Sequence, residues 1–304
     1  MSTSTKTNKK IFLSTTSIEE FWDTSQTIIF LGRWCLLYKK YRSSTFHKKQ
    51  LLDSPYKVKE EDEIYTYILG EYYKVLPIIA ASLNNLHGKQ HSVNYWRIII
   101  GPWLLFYMQL IYDRLSYLTK AIDDYPKLTT ILLSEKSFTT PSDTLHFLHL
   151  ATEDLYNLQI FSKIFKFMGK SFLCKEYNTP QNSHYTNALK TSYKTRISRI
   201  LEILYEKIMS FFYNQPIYCT ASYLPKTAIL KLIIKSFGKI IFFRNFTKIK
   251  FNNKYDGKAR KKISSLKLGD DLFSRCLSHF LHSEIPKVFI ENFDEINNIV
   301  SHTY

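Results

Sequence analysis

The chain has 304 residues, 45% of them hydrophobic, which is enough for a sizeable core in one large domain or two ordinary ones. Its net charge of +16 would suit nucleic acid, an anionic membrane face or a phosphorylated substrate, although the abundance of Lys, Asn, Ile, Phe and Tyr is also what an AT-rich genome writes. No stretch reaches the roughly 18 uncharged apolar residues that cross a bilayer: residues 98–112 contain a Gly-Pro break, and 228–243 carry three lysines.

The chain opens with two strand candidates, IFLSTT (11–16) and TIIFLG (27–32), β-branched and apolar and bounded by Ser, Thr or Gly. Between them Ser17, followed three residues later by Glu20, predicts a capping box and a short helix. Strand, helix, strand predicts the start of an α/β layer with parallel pairing. Residues 39–63 are polar and read as surface loop, with a helix starting near Glu60. From Asp62 to Leu86 the apolar residues fall at helical spacing and Gly88 ends the run. Gly101-Pro102 breaks the chain before an apolar helix, Trp103–Asp123.

Residues 142–169 predict one further helix, then a polar loop over 174–186 and a long amphipathic helix over Thr186–Asn214. PIYCTASYL (216–224) reads as a third strand, followed by a helix to Gly238, a basic polar stretch over 244–262, and helices over 266–281 and 286–299. The basic N-terminus lacks an apolar core and does not read as a secretory signal. Cys35, Cys174, Cys219 and Cys276 are scattered without CxxC spacing and read as reduced thiols of a cytoplasmic protein.

The chemistry-bearing residues concentrate in LNNLHGKQHSVNYWRIIIGPWLLFYMQLIYDR (83–114). His87 and His91 have the i, i+4 spacing of metal ligands, but no Glu follows His87 and no third ligand is nearby, so no metal site is expected. They are structural donors at a helix end, or bases or phosphate contacts in a cleft. Tyr95, Trp96 and Arg97 combine rings that stack on sugars with a guanidinium that forks onto carboxylate or phosphate. The alternative is a buried arginine paired with an acid, and Asp113-Arg114 has that look too. Gly32, Arg33 and Trp34 follow the second strand, where α/β folds bind ligands, though a tight turn with a packed Trp fits as well. No phosphate-cradling glycine motif is present. The adjacent acids Glu19-Glu20 and Asp123-Asp124 do not face each other on a helix. GKARKK (257–262) reads as a solvated face or a contact for lipid phosphates or nucleic acid.

The stretches LSTTSIEEFWD (13–23), FLGRWCLLY (30–38), LNNLHGKQHSVNYWRIIIGPWL (83–104), YDR (112–114), DLYNLQIFSKI (154–164), SYLPK (222–226) and IPKVFIENFDEI (285–296) resemble, in order, a bacterial transferase family met in gene clusters for cell-surface polysaccharide such as O-antigen. The resemblance covers nearly the whole chain. Members of that family run on to about twice this length, and their glycine- and histidine-containing donor motifs fall after the position of Tyr304. The resemblance therefore implies a single lobe over 1–304, the N-terminal, acceptor-side lobe of a GT-B-like glycosyltransferase, with the donor lobe absent.

That implies an α/β, helix-rich fold with a small parallel sheet wrapped by long helices. It also implies a nucleotide-activated sugar as donor, no cofactor, and a lipid-linked or saccharide acceptor. A separate C-terminal lobe would be a partner, and the location would be cytoplasmic, peripheral on the anionic inner membrane face. His87 or His91 would take the acceptor proton. Arg33 or Arg97 would hold an anionic group, and Trp34, Tyr95, Trp96 and Arg114 would line the substrate. The rival reading is a non-catalytic binding or scaffolding remnant of such a transferase. Nucleic acid rests on charge alone, without a recognition motif.

Overall fold

The computed structural model describes residues 11–36, 50–56, 60–177, 217–220, 224–243, 254–264, 266–295 and 297. In chain order the strands are β1 (Ile11–Ser14), β2 (Thr27–Phe30), β3 (Gln50–Leu51), β4 (Ile131–Leu133), β5 (Leu173–Lys175), β6 (Ile217–Thr220) and β7 (Ile240–Phe243). The helices are α1 (Glu61–His87), α2 (Val93–Ile99), α3 (Gly101–Asp124), α4 (Thr144–Ala151), α5 (Asp154–Phe167), α6 (Lys226–Lys235), α7 (Gly257–Ile263) and α8 (Leu272–Glu284). The chain divides into two compact units, one of Met1–Asn178 with Phe251–Tyr304 and one of Thr179–Lys250. The expected helix over 186–214 lies outside the described residues.

The first unit is built on parallel strands. β1 pairs with β2 and β2 with β3, Ile11 lying opposite Thr27 and Phe30 opposite Leu51. On the other side of β1, Thr129 forms a parallel bridge with Phe12, exchanging backbone bonds with Ile11 and Leu13 at 2.8 Å. The Thr130 hydroxyl donates to the Leu13 carbonyl at 2.8 Å. That segment continues as β4, which pairs in parallel with β5. β4 and β5 form a two-stranded sheet of their own beside the three-stranded β1-β2-β3 sheet, the two joined through the Phe12–Thr129 bridge.

Helix α3 organises the core. Trp103, Leu104, Tyr107, Met108, Ile111, Leu115, Leu118 and Ala121 are all buried, a spacing that keeps one broad stripe inward along the helix. It packs against α1, α2, α4, α5 and α8. Trp103 and Tyr107 stack at 5.1 Å. Their Nε1 and Oη are buried without a hydrogen-bond partner among the described residues, so about 1–3 kcal/mol of desolvation per group offsets part of their apolar gain.

Two buried ionic networks tie α8 and its following turn into this core. Glu284 is fully buried. It accepts from Tyr156 Oη at 2.6 Å and Gln159 Nε2 at 3.1 Å and is paired with Lys163. Arg260 forks onto Glu291, Nε to Oε1 at 2.7 Å and Nη2 to Oε2 at 2.8 Å, and Nη1 donates to the His282 carbonyl at 2.8 Å. GKARKK, a basic run in the sequence, is therefore a helix whose central Arg260 is 1% exposed.

Several expectations are corrected. The predicted helix over 142–169 is two helices. The Asn157 amide donates to the carbonyls of Ala151 and Glu153 at 2.9 and 2.8 Å, so the break is hydrogen-bonded rather than strained. Ser17 does not cap a helix. The turn Glu19–Phe21 is 3-10 and has no side-chain cap, because the Ser17 hydroxyl is committed to Asp154. The helix expected over 266–281 begins only at Leu272, where Asp271 accepts from Ser274 N. At 286–299 the described chain is a 3-10 turn, Lys287–Phe289, with helical residues from Phe293. β3, β4, β5 and β7 are strands of two to four residues, too short to show a period of two.

The second unit contributes a parallel β6-α6-β7 motif, Ile217 opposite Ile240 and Thr220 opposite Phe243. Among the described residues no helix is long and apolar enough to cross a membrane. All four cysteines are free.

Candidate functional site

The carboxyl ends of β1, β2 and β3 gather polar and aromatic groups from four parts of the chain. After β1, Ser14 to Ser17 are buried. Asp154, at the start of α5, draws this loop down. Its Oδ2 accepts from Thr16 Oγ1 at 2.8 Å, Ser17 N at 2.7 Å and Ser17 Oγ at 2.5 Å. A carboxylate in the first turn of a helix is itself favoured by the helix dipole. The Thr16 carbonyl accepts from Trp22 Nε1 at 2.7 Å. The thiol of Cys35 donates to the Ser14 carbonyl at 3.4 Å. Burial, with the charge of Asp154 adding to it, pushes that thiol up to about 12, so it is an inert packing group.

After β2 the chain turns at Gly32 into the 3-10 turn Arg33–Leu36. A Cβ on Gly32 would lie 2.1 Å from the Trp34 ring, so only glycine lets the indole fold back over its own backbone. Trp34 meets Tyr117 edge-on at 5.2 Å, and Tyr117 meets Tyr56 edge-on at 6.0 Å. The guanidinium of Arg114 stands 5.7 Å from the Trp34 ring centre and 5.7 Å from that of Phe161. Arg114 donates from Nε and Nη2 to Asn157 Oδ1 at 3.0 and 2.8 Å and is ion-paired with Asp113. Tyr56 Oη donates to Asp113 Oδ1 at 3.1 Å. Burial and the Asp113 charge hold its phenol above the usual tyrosine range.

Trp34, Tyr56, Asp113, Arg114 and Tyr117 are all partly exposed. Aromatic faces flanked by a carboxylate, a guanidinium and an amide form the donor set that meets the CH face and hydroxyls of a sugar. A cavity of about 550 Å³ starts at the neighbouring Pro55 and runs along α3 past Tyr112, Ser116 and Asp123 to Asp271. Arg33 is exposed in the same turn as Trp34.

His87, His91, Tyr95 and Trp96 form a different cluster. Asn84 organises it: its amide donates to the His91 carbonyl at 2.8 Å, and its Oδ1 accepts from His91 N and Trp96 Nε1, both at 3.0 Å. His87 Nε2 lies 2.9 Å from the Phe289 carbonyl oxygen, so that nitrogen carries the proton and donates it. The His87 ring stacks on Phe293 at 4.2 Å, and burial lowers its pKa. His91 stacks on Tyr95 at 3.8 Å. His91 Nε2 and Tyr95 Oη are buried without a hydrogen-bond partner among the described residues. Arg97 is exposed on the next turn of α2. From the start of α3 to Arg114 is about 20 Å of helix, so the structure brings Arg33, Trp34 and Arg114 together and keeps the histidine cluster apart from them.

Among the described residues no three His, Cys, Asp or Glu side chains are placed to hold a metal ion. A second cavity, of about 540 Å³, is lined by Lys163, Lys166, His279, His282 and Lys287; Lys163 is answered by Glu284 and Lys166 by Glu135. Sequence reasoning missed Tyr56, Tyr117, Asp154 and Asn157. Only Asp154 left a signal, as an acid opening the apolar run DLYNLQIF, and it was hidden inside what read as one helix.

The family model described as LIC12162 family transferase matches residues 11–304. The chain belongs to that family. The match begins at the first residue of β1 and takes in both the sheet-edge cluster and the histidine cluster of this LIC12162-family chain. No curated protein and no solved structure matches it.

Proposed function

We propose that this LIC12162-family chain is the acceptor-side lobe of a GT-B-like glycosyltransferase acting in cell-surface polysaccharide synthesis. The supporting observation is the Trp34–Arg114–Asp113–Asn157–Tyr56 cluster at the carboxyl ends of the parallel β1-β2-β3 sheet. In this reading a saccharide lies against Trp34, with its hydroxyls to Asp113 and to the unused N–H groups of Arg114. Arg33 faces an anionic part of the acceptor or donor. The histidine cluster lies apart from this saccharide, with His87 donating to the Phe289 carbonyl, so this reading gives neither histidine the acceptor proton. A nucleotide sugar serves as donor and is bound mainly by residues outside this lobe. The acceptor is a saccharide, lipid-linked at an anionic cytoplasmic membrane face.

Calorimetric titration with oligosaccharides and with nucleotide sugars tests this. Saturable saccharide binding, weakened about tenfold or more by Trp34→Ala, is the expected result. Tight nucleotide-sugar binding that ignores Trp34→Ala would place a donor site within these residues and overturn the acceptor assignment.

A further inference from the structure

Between Glu206 and Asp256 the sequence carries nine Lys or Arg and no Asp or Glu, more than half of the net +16. Most of that stretch belongs to the second compact unit, Thr179–Lys250. There α6 packs on β7, with Ile229 and Ile233 partly buried. The neighbouring stripe is turned outward: Leu230 is 58% exposed, Ile234 64% and Phe237 85%. Leu230 and Ile234, at i and i+4, lie in line on α6, and Phe237 follows them in the turn that closes the helix. Lys231, Lys235 and Lys239 are exposed beside them.

The end of α6 adds a second, independent observation. Phe237 sits at φ 51°, a left-handed backbone that glycine adopts freely and a bulky residue resists. Gly238 N closes the helix onto the Ile233 carbonyl at 2.9 Å. A strained backbone that holds a large aromatic out in solvent is the kind of local cost that persists where a surface is used.

We propose that α6 and its closing turn are an in-plane anchor for an anionic lipid surface. Leu230, Ile234 and Phe237 enter the boundary between headgroups and acyl chains. The flanking lysines extend their stems along it and meet lipid phosphates. The uniform positive charge disfavours a second copy of this chain as the occupant. The exposed aliphatic residues favour lipid over nucleic acid. From the functional reading this takes only the expectation of an acceptor at an anionic membrane; the transfer chemistry does not enter.

The test is co-sedimentation of the full chain with vesicles of phosphatidylcholine alone and of phosphatidylcholine mixed with phosphatidylglycerol. The anchor predicts binding to the mixed vesicles only. Lys231→Gln and Lys235→Gln each lower the partition about fivefold. Phe237→Gly lowers it about threefold to tenfold while the melting temperature holds or rises, because glycine suits that backbone; misfolding would move the two together. Failure to bind mixed vesicles, equal binding to both kinds, or variants that match the parent would overturn the proposal. So would light scattering that shows an oligomer dissolved by Phe237→Gly, or a DNA oligonucleotide that binds and fully displaces the vesicles. Saccharide titration of the same variants is read separately, so lost vesicle binding with saccharide binding intact removes the anchor and leaves the transferase reading standing.

Discussion

The sheet-edge cluster and the histidine cluster use similar side chains in opposite ways. At the sheet edge, polar groups satisfy one another across long sequence separations: Asp154 with Thr16 and Ser17, Arg114 with Asn157, Asp113 with Tyr56. The aromatic rings there remain partly exposed. In the histidine cluster the rings are packed face to face, and two polar tips, His91 Nε2 and Tyr95 Oη, stay buried without partners among the described residues. A residue type that can do chemistry does so only where packing leaves it reachable, and a cluster dense in such residues can equally be a scaffold.

Four measurements sharpen or break that contrast. Asp154→Ala leaves three donors without an acceptor, all of them on the two buried residues Thr16 and Ser17. At about 1–3 kcal/mol for each orphaned group, partly relieved by relaxation, the loss is about 3–5 kcal/mol. The urea midpoint would report it, and a loss below about 1 kcal/mol would show that the latch is not what holds the β1 loop. Arg114→Lys keeps the charge but loses the fork onto Asn157 and the planar contact with Trp34. A cost of about 1–2 kcal/mol in stability, with weaker saccharide binding, is expected. Unchanged saccharide affinity would remove Arg114 from the site.

The third measurement is the pH dependence of stability. Burial lowers the pKa of His87, His146 and His282 below the usual histidine value. The folded state then binds fewer protons than the unfolded chain once the pH drops under about 6.5. Stability is therefore flat above that pH and declines as the solution is acidified through the window down to the folded-state values. A melting temperature lower at pH 5.5 than at pH 7.5, with a smaller drop in His87→Gln, is the expected outcome; a rise on acidification would contradict the burial of these rings. The smallest effect belongs to Tyr95→Phe. Removing a hydroxyl that has no partner among the described residues changes stability by only about 0.5 kcal/mol in either direction. If the same variant reduces transfer or saccharide binding, the histidine cluster is a working site and the contrast fails.

Much of the local architecture was legible. Ile11–Ser14 and Thr27–Phe30 are strands where the β-branched runs predicted them. α1 ends at Gly88, whose φ of 62° is the left-handed cap that the glycine signalled. α3 begins at the Gly-Pro break, with Pro102 in its first turn. Each of these rests on neighbours in sequence. The short strands were not legible, because two to four residues carry no period. The functional cluster was only partly so: Arg33, Trp34 and Arg114 were candidates, but nothing local tied them together or pointed to Tyr56 and Asn157.

By itself the sequence determined a pair of strands at the opening, the span of α1 and α3, the lack of an apolar run long enough for a bilayer, and the stretch between Glu206 and Asp256 that carries Lys and Arg without Asp or Glu. Those are properties of composition and of spacing within a few turns. Only the tertiary structure decided that Asp154 would hold the loop 137 residues before it, that Arg260 in a basic run would be buried against Glu291, and that Trp34 rather than Trp96 would keep an open face. Such pairings follow from which helix packs beside which strand end, and that depends on burying the whole α3 stripe at once.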